Sequence, residues 1–540
     1  MNETTQPPKK KNSLLMQSAW LLCAKTIGFI LSFILPMLVV RYLTKDKVGV
    51  YKQVFLVVAN AVSILPLGFS MSAYYFLNRE PERRKFTISN ILLFNFFTGG
   101  AACITLFLFP QLLGNLFQND EITRLAPRIG VVVWLWIFSA FLETVALANQ
   151  EVKLATAFII LSQFTRTLLL TGALLLFSSI ESLVYAATAQ GVLQVCVLLV
   201  YLNSRFPRFW TQFDFRFFRE QIIYALPFGL AGLLYTLQSD VHNYFVSNRF
   251  GEEQFAVYSQ GCFELPLIAI LYESFSGVMI PRMSELQAAG KRREMLLTSV
   301  GAMQKLAFAY FPVFIFLMIV ADVFITTLFT NNFAESIPIF RINLILLPFY
   351  CLMIDPIGRA FAEVGRFLLK MRVILFIALL AALYFGVRHF DLRGVIAIVV
   401  VVVIIEILVS FLKVASILQI KRADVYLLET VGKTAFAALA SGVFLFLFYW
   451  LAKDFLLAAC INFSRSILTL IEFQKGSDFF GGSLFLGICL ALYASIYLFF
   501  ANLFGAFRTE DKDKLKATIA NRFAFTRKFL NRKTLLTTDR

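Results

Sequence analysis

The chain has 540 residues, of which 59% are hydrophobic and only 15% are charged, and its formal net charge is +17. A soluble protein of this length would form two to four domains with polar surfaces, and this composition excludes that class. Apolar runs of about 20 residues recur along the chain, each long enough to cross a bilayer core of about 30 Å. These runs lack the alternation of barrel strands, so the sequence predicts an all-α polytopic membrane protein.

Fourteen apolar runs have the length of a membrane span. They cover approximately residues 14–40, 51–77, 87–109, 129–149, 154–177, 182–204, 221–247, 255–280, 299–329, 336–356, 368–387, 394–419, 430–452 and 483–504. An even number places both termini on one side of the membrane. Most of the Lys and Arg residues are counted on that side, Arg372 among them, whereas Lys52 and Lys453 are counted in the opposite loops. The positive-inside rule therefore predicts cytoplasmic termini, and the charge indicates topology, with no nucleic-acid partner.

Two hairpins of this pattern resemble each other. Each joins two apolar runs through a short polar loop, at residues 41–51 and 248–255. Aligning Tyr51 with Tyr258 pairs the valines that precede them and the glutamines two residues later. Repeated halves are typical of transporters.

The repeat predicts a six-helix lobe at residues 1–204 and a second at 221–419. A segment at 205–220 mixes arginines with aromatic residues and is either a hinge or a plain interfacial linker. Two further helices fall within 420–504, and a basic tail follows at 505–540. In the tail, Leu515, Ile519 and Phe523 recur at helical spacing, which fits either an amphipathic helix on anionic lipids or a disordered tail.

The stretch 222–286 carries the most informative sequence. It includes Leu226-Pro227-Phe228-Gly229, preceded by Phe213-Asp214-Phe215, and the later segment Leu392-Arg393-Gly394-Val395-Ile396-Ala397 belongs to the same pattern. With the two hairpins, these segments resemble the oligosaccharide-lipid flippases of the polysaccharide-transporter (Wzx-type) family. That family lies in the MOP superfamily, which also holds MATE drug exporters and lipid II flippases. The resemblance covers most of the chain.

The resemblance implies about 14 transmembrane helices in two pseudo-symmetric six-helix bundles, plus two C-terminal helices. It further implies transport of an undecaprenyl-pyrophosphate-linked oligosaccharide across the bacterial inner membrane by alternating access. A polysaccharide polymerase and a chain-length regulator would be protein partners. The alternatives are a lipid II or multidrug exporter of the same superfamily, and a membrane-embedded polymerase or ligase.

Basic residues inside the spans are the first candidates for cargo binding, because a charge at a helix centre costs about 2.5–3.5 kcal/mol on insertion. Lys25 lies roughly 20 Å along the helix from Lys11 and from Arg41, the basic residues that flank its predicted span, and Arg166 is similarly deep. Lys305 and Arg341 lie closer to span ends. These four are predicted to bind pyrophosphate or sugar, with structural ion pairs as the alternative. The resemblance supports Lys25, since related flippases line a central cavity with cationic side chains.

Acidic residues inside the spans are candidates for ion coupling. Asp240, Glu143 and Glu264 are predicted to bind H⁺ or Na⁺, with pairing to a basic residue as the alternative. Glu273 and Glu406 also lie in or near spans. Glu406 shares a helix face with Lys413, seven residues later, and is interpreted as structural.

Signals of catalysis are missing from the sequence. It has no Walker A loop and no hydrolase or glycosyltransferase motif. Its seven cysteines and two histidines lack the spacing of a metal site. The sequence therefore predicts a transporter without a cofactor and not an enzyme. The deep cations Lys25 and Arg166 count against an exporter of cationic drugs.

Overall fold

The computed structural model describes residues 14–211, 213–469 and 476–506. In these ranges the chain forms α-helices and short 3-10 helices, and no strand. Twelve helical stretches of the described chain are long and apolar enough to cross a membrane. Backbone N–H and C=O groups in hydrocarbon must be paired internally, which a helix achieves. The chain is therefore a multi-pass helical membrane protein.

The α-helices are α1 (Leu14–Tyr42), α2 (Lys45–Ile64), α3 (Ser72–Arg79), α4 (Arg84–Leu108), α5 (Gln111–Phe117), α6 (Asp120–Ser139), α7 (Phe141–Ala148), α8 (Val152–Phe177), α9 (Ile180–Arg205), α10 (Phe215–Gly261), α11 (Pro266–Ala288), α12 (Arg292–Phe329), α13 (Ser336–Leu344), α14 (Asp355–Ala360), α15 (Ala362–His389), α16 (Leu392–Ile417), α17 (Glu429–Thr469) and α18 (Ser477–Leu503). The 3-10 helices are Phe69–Met71, Pro81–Arg83, Phe209–Thr211, Asn331–Phe333, Leu347–Cys351 and Arg422–Leu428.

Polar caps explain where several of these helices begin. The side chain of Asn119 accepts hydrogen bonds from two backbone N–H groups of the first turn of α6. Ser179 does the same for one N–H of α9, and Asp214 accepts two from the first turn of α10. The first N–H groups of a helix lack intrahelical partners, so such caps fix its start.

Two of the fourteen predicted spans are not among the twelve. The run 255–280 is interrupted, because α10 ends at Gly261 and α11 begins at Pro266. The run 336–356 consists of the short helix α13 and a 3-10 helix. Hydrophobicity continues through a helix break, so the apolar pattern alone does not reveal either interruption.

The second predicted hairpin also differs from the first. Its loop at 248–255 is helical except at Gly251, which has φ 79° and ψ 177°. Glycine adopts this left-handed region without a steric penalty. The reversal between the two parts of α10 is therefore made at one residue, whereas α1 and α2 are separated by a short connection before Lys45.

The described chain divides into two compact units. The first contains the residues up to Val278 together with Ile325–Leu346 and Gly358–Ser410. Within it, α2 packs antiparallel against α10 through three interhelical hydrogen bonds. These join Gln53 to Ser247 (2.6 Å), Asn60 to Tyr244 (2.9 Å) and Ser63 to Thr236 (3.0 Å).

Glycines bring α2 and its following turn against α10. A Cβ atom at Gly49 would lie 2.0 Å from the carbonyl oxygen of Glu252, and one at Gly229 would lie 1.9 Å from that of Leu67. Neither distance is possible for a real Cβ atom. The two segments therefore meet backbone to backbone, as small residues allow in membrane helices.

The helices α1 and α8 run parallel in the same unit. A Cβ atom at Gly28 would lie 3.2 Å from Cγ of Gln163. Further along, the hydroxyl of Thr167 donates to the carbonyl of Leu31 over 3.1 Å. These contacts set the register in which the deep cations of the two helices lie.

The second unit contains Met279–Phe324, Leu347–Ile357 and the chain from Phe411. In its described part, α17 and α18 form a hairpin in which Tyr493 donates to the carbonyl of Ala438 over 3.2 Å. Asp322 of α12 accepts hydrogen bonds from Tyr449 and Lys453 of α17. Lys453 is thus a helical residue and not a loop residue as predicted. The division into two lobes at 1–204 and 221–419 follows other boundaries and stays a prediction.

The segment between α9 and α10 is partly built into the first unit. Phe206 and Phe209 belong to a buried apolar cluster with Phe69 and Leu198, whereas the side chain of Trp210 is 61% exposed. One side of the predicted hinge or linker is therefore anchored. The tail residues Leu515, Ile519 and Phe523 lie outside the described residues.

Candidate functional site

Lys25 forms an ion pair far along α1. Its Nζ atom lies 2.8 Å from Oε2 of Glu273 on α11, and both residues belong to the first unit. Lys25 stands 11 residues after the start of α1, a rise of about 16 Å. The partner is an acid 248 residues away, which no pattern along either helix indicates.

This ion pair is open. The side chain of Lys25 is 45% exposed and that of Glu273 is 58% exposed. Charged side chains at membrane depth face water-filled cavities or protein and avoid lipid tails. An exposed pair of this kind is weakly held, so either partner can exchange its counter-ion for a charged ligand.

Glu143 lies on the short helix α7 and is exposed. Its carboxylate is close enough to Lys25 to interact electrostatically. The sequence names Glu143 as an ion-coupling candidate, and the structure brings it to the neighbourhood of Lys25. One lysine is thus flanked by two acids, of which Glu273 is the one in direct contact.

Arg166 is held differently, by aromatic rings. Its guanidinium carbon lies 4.3 Å from the ring centroid of Trp136, and the hydroxyl of Tyr51 is near enough to interact with its charge. The indole N–H of Trp136 donates to the carbonyl of Ala187 over 3.1 Å, which fixes the ring. Among the described residues, no carboxylate forms an ion pair with Arg166. Stacking leaves the N–H fork of the guanidinium free for an anion.

The register of α1 and α8 places Lys25 and Arg166 at neighbouring depths. Gly28 lies opposite Gln163, and Leu31 lies opposite Thr167. Arg166 is therefore level with the residue next to Leu31, about 7.5 Å beyond Lys25 along the helix axis. The two cations are near each other on packed helices without a direct contact.

The two weaker basic candidates belong to other helices. Lys305 is an exposed residue of α12 in the second unit. Arg341 lies on α13 in the first unit, and its Nε atom is buried without a hydrogen-bond partner in the described structure. A buried N–H without a partner is costly, so Arg341 is the better of the two as a site for an added acceptor.

Asp240 lies on α10 in a half-buried polar cluster. Asn60 is beside its carboxylate, and Glu264 is close enough to interact with it electrostatically. The amide of Asn60 also donates to the hydroxyl of Tyr244 over 2.9 Å. No basic residue in the described ranges forms an ion pair with Asp240. Two neighbouring carboxylates repel when both are ionised, and a shared proton or cation relieves that repulsion.

A charged network on α10, α15 and α16 is absent from the sequence-based candidates. Arg372 donates to Oε1 of Glu406 from Nε over 3.0 Å and from Nη2 over 2.7 Å. Gln238 donates to the other oxygen of Glu406, and the guanidinium lies 5.4 Å from the ring centroid of Tyr235. Arg372 was counted with the basic residues on the side of the termini, and the structure places it in α15, which begins ten residues earlier. Glu406, interpreted as structural from its sequence position, thus forms an ion pair across helices.

Lys52, which was counted with the basic residues of the opposite loops, lies half-buried on α2. The helix begins at Lys45, six residues before the apolar run of the predicted span, because a helix can begin in polar sequence. The part of the chain that the structure describes holds no group of three or more His, Cys, Asp or Glu residues that could bind a metal ion.

Comparisons with known proteins identify a matching family and solved structures with the same fold. A family described as "Polysaccharide biosynthesis protein" matches residues 38–338. No curated protein sequence matches the chain. The solved structure of the lipid II flippase MurJ in an inward closed conformation is 13% identical, with a TM-score of 0.66 over 91% of this chain and 98% of that one.

Two further structures share the fold. A MOP superfamily transporter from Pyrococcus furiosus is 16% identical and has a TM-score of 0.56, covering 75% of this chain and 95% of its own. An outward-facing MATE family multidrug transporter is 16% identical with a TM-score of 0.54 and the same coverages. At these identities the likeness shows the fold alone. The predicted MATE-like and lipid II flippase-like architecture is confirmed.

Proposed function

This chain belongs to the family of polysaccharide biosynthesis proteins, and from that premise we propose that it is a lipid-linked oligosaccharide flippase. Its cargo is an undecaprenyl-pyrophosphate-linked oligosaccharide, moved from the cytoplasmic to the outer leaflet of the bacterial inner membrane. Movement occurs by alternating access, the mode of transporters built from repeated halves. The positive-inside pattern supports cytoplasmic termini.

One observation carries this proposal: two cations lie at neighbouring depths on the packed helices α1 and α8, and neither is buried in a closed ion pair. Lys25 pairs with Glu273 while both remain about half exposed. Arg166 rests on Trp136 without a carboxylate partner in the described structure. A purely structural pair would be expected to be closed, because an open one gains little stability.

The chemistry of the cargo fits these groups. A pyrophosphate carries its charge on oxygens that accept hydrogen bonds from guanidinium and ammonium groups. Arg166 offers a planar fork, and Lys25 offers a flexible charge that leaves Glu273 when the phosphate arrives. Arg341 and Lys305 are secondary candidates for pyrophosphate or sugar contacts. The prenyl tail stays in the bilayer, where it needs no polar partner.

Coupling to an ion gradient is assigned to the acids. Asp240 and Glu264 share one neighbourhood and would hold a proton or Na⁺ together. Glu143 beside Lys25 is the third candidate, since a cargo phosphate at Lys25 would alter its electrostatic surroundings.

No cofactor is required. A polysaccharide polymerase, a chain-length regulator and anionic lipids are the proposed partners.

Lipid II is the second candidate cargo, and one observation favours it. The MurJ fold covers 91% of this chain with a TM-score of 0.66. Lipid II is also a prenyl pyrophosphate, so the cation pair serves either cargo equally. A multidrug exporter is disfavoured by Lys25 and Arg166, because they repel cationic drugs.

The test uses the purified full chain in proteoliposomes with two fluorescent cargoes, an undecaprenyl-pyrophosphate-linked oligosaccharide and lipid II. Quencher added outside measures how much cargo has changed leaflet. We expect the oligosaccharide to flip faster than in liposomes containing an Arg166→Ala variant. Preferential flipping of lipid II would select the second candidate. Flipping of neither cargo would overturn the proposed function.

A further inference from the structure

A separate cavity of about 340 Å³ lies at the membrane face where α1 begins. It is lined by Trp20 of α1, residues 150–154 at the junction of α7 and α8, and Arg205 at the end of α9. Trp20 precedes Lys25 by five residues, which turns the helix by about 140°. The two side chains therefore leave α1 in different directions, and the cavity is not part of the Lys25 ion pair.

The side chains of this cavity carry a net positive charge. Arg205 pairs with Glu151 over 2.9 Å between Nε and Oε1. The hydroxyl of Tyr201 donates to the second oxygen of Glu151 over 3.0 Å. Lys153 is exposed, and in the described part of the chain no carboxylate forms an ion pair with it. Two cations thus face one carboxylate that is already engaged at both oxygens, so the cavity favours an anion.

The backbone adds donors to the same cavity. Val152, Lys153 and Leu154 are the first three residues of α8, and all three line it. Glu151 precedes them without giving a side-chain cap to the first turn. The N–H groups of a first turn have no intrahelical partners and attract phosphate oxygens. Here they supplement the ammonium group of Lys153 and do not stand alone.

Trp20 supplies a flat apolar surface beside these donors. Its side chain is 46% exposed and lines the cavity together with Lys153 and Arg205. An indole offers an apolar face at a polar boundary, and the apolar face of a pyranose ring can stack on it. The volume lies at the lower end of ligand pockets, which hold about 300–1,000 Å³. It suits one sugar with its phosphate and excludes a whole oligosaccharide.

We infer that this cavity is a docking site for the glycosyl-phosphate headgroup of a lipid-linked sugar before it reaches the deep cations. Lys153, Arg205 and the first turn of α8 receive the phosphate, and Trp20 stacks on the first sugar. The inference rests on the proposed function, because it assigns a loading step to the same cargo. This second site would raise the affinity of the protein for its cargo without changing the rate of the translocation step.

The experiment measures binding of a water-soluble probe, N-acetylglucosamine linked through pyrophosphate to a short prenyl chain. The full chain in nanodiscs is titrated, and binding is followed by thermophoresis. We expect Trp20→Ala and Lys153→Gln each to raise the Kd at least about fivefold. Trp210→Ala and Arg216→Gln are matched controls, an exposed tryptophan and an exposed arginine outside the cavity, and should stay within about twofold of wild type. Equal Kd values for all four variants would overturn the inference.

Competition experiments measure how much the pyrophosphate and the sugar of the headgroup each contribute to binding. Inorganic pyrophosphate alone and N-acetylglucosamine alone should each displace the probe much more weakly than unlabelled probe does. Displacement by pyrophosphate as strong as by unlabelled probe would reduce the cavity to a bare anion site and overturn the role of Trp20.

Flipping assays distinguish failure of the inference from failure of the proposed function. We expect Trp20→Ala to raise the half-saturating cargo concentration about fivefold with an unchanged maximal rate, whereas Arg166→Ala abolishes flipping. If Trp20→Ala and Lys153→Gln bind and flip as wild type while Arg166→Ala does not flip, the docking site fails and the flippase stands. If the wild-type protein flips no cargo, both the proposed function and the loading step are wrong. If Trp20→Ala nevertheless weakens probe binding in that case, the cavity is a glycosyl-phosphate binding site with no role in flipping.

Discussion

Lys25 and Glu273, separated by 248 residues, meet with their charged atoms 2.8 Å apart on a surface open to solvent. An exposed ion pair contributes about 0–1 kcal/mol to stability, so the pair is a weak structural element. Placing two charges inside the transmembrane region costs more free energy than this ion pair contributes to stability. One of the partners is therefore expected to have another role.

Reversing this ion pair separates binding from structure. The double variant Lys25→Glu/Glu273→Lys keeps the attraction, so we expect its melting temperature to match that of wild type. Flipping should fall at least about tenfold, which corresponds to about 1.4 kcal/mol of lost stabilisation, because the cation now projects from α11. Flipping in proteoliposomes and thermal unfolding of the same preparation measure the two effects. Wild-type flipping by the reversed pair would show that only the pairing matters.

Arg166 is expected to depend on its planar fork as well as its charge. Arg166→Ala should abolish flipping, and Arg166→Lys should retain part of it, since lysine keeps the charge but cannot bind two phosphate oxygens side by side. Arg128→Ala is the matched control, because Arg128 also stacks on an aromatic ring, that of Tyr185. Its loss should leave the rate within about twofold. Full activity of a folded Arg166→Ala protein would remove this residue from the cargo site.

Asp240 is predicted to carry the coupling ion. Asp240→Asn removes the charge while keeping the shape, so the folded protein should persist and flipping should lose its response to an imposed Na⁺ or proton gradient. Glu264→Gln should weaken the response less, because Glu264 is exposed. The exposed acid Asp454 on α17 provides a control through Asp454→Asn. Flipping by Asp240→Asn that follows the gradient as wild type does would reduce Asp240 to a packing residue.

The pair of Arg372 and Glu406 should act on stability. Removing one partner from a fully buried pair costs about 3–5 kcal/mol, and we expect about 2 kcal/mol for Glu406→Gln, because 34% of the Arg372 side chain is exposed. The double variant Arg372→Met/Glu406→Met should recover most of the loss. Thermal unfolding in detergent checks both values. A Glu406→Gln protein as stable as wild type would argue that this pair contributes nothing.

Topology is tested by fusions after Arg540. Cytoplasmic termini predict that a C-terminal alkaline phosphatase is inactive and that a C-terminal fluorescent protein is bright. The physical basis is the excess of Lys and Arg in loops on that side. Phosphatase activity at this position would require an odd number of spans and would reverse the loop assignments.

The class of the protein and the position of its helices were accessible from sequence, because transmembrane segments must be long and apolar. Lys25 and Arg166 stood out for the same reason: a charge inside such a segment is costly. Their environments were not accessible. Glu273 was visible as an acid near a span, but its contact with Lys25 depends on how α1 and α11 pack.

Arg372 is a residue whose role was not apparent from the sequence. It lies ten residues into α15, near the start of the predicted span, and was counted only as a charge on the side of the termini. Glu406 was interpreted as structural because it shares a helix face with Lys413, whereas its ion pair joins it to Arg372 on another helix. Pairing between distant segments is decided by tertiary packing, which a single sequence does not record.

The three hydrogen bonds between α2 and α10 add to the packing of these helices. Bonds of this kind in membrane proteins average about 0.6 kcal/mol each, so Gln53–Ser247, Asn60–Tyr244 and Ser63–Thr236 together contribute about 2 kcal/mol. The backbone contacts at Gly49 and Gly229 leave no room for a larger side chain. A substitution at either glycine would therefore displace α2 from α10, whereas loss of one hydrogen bond would leave the register of the two helices in place.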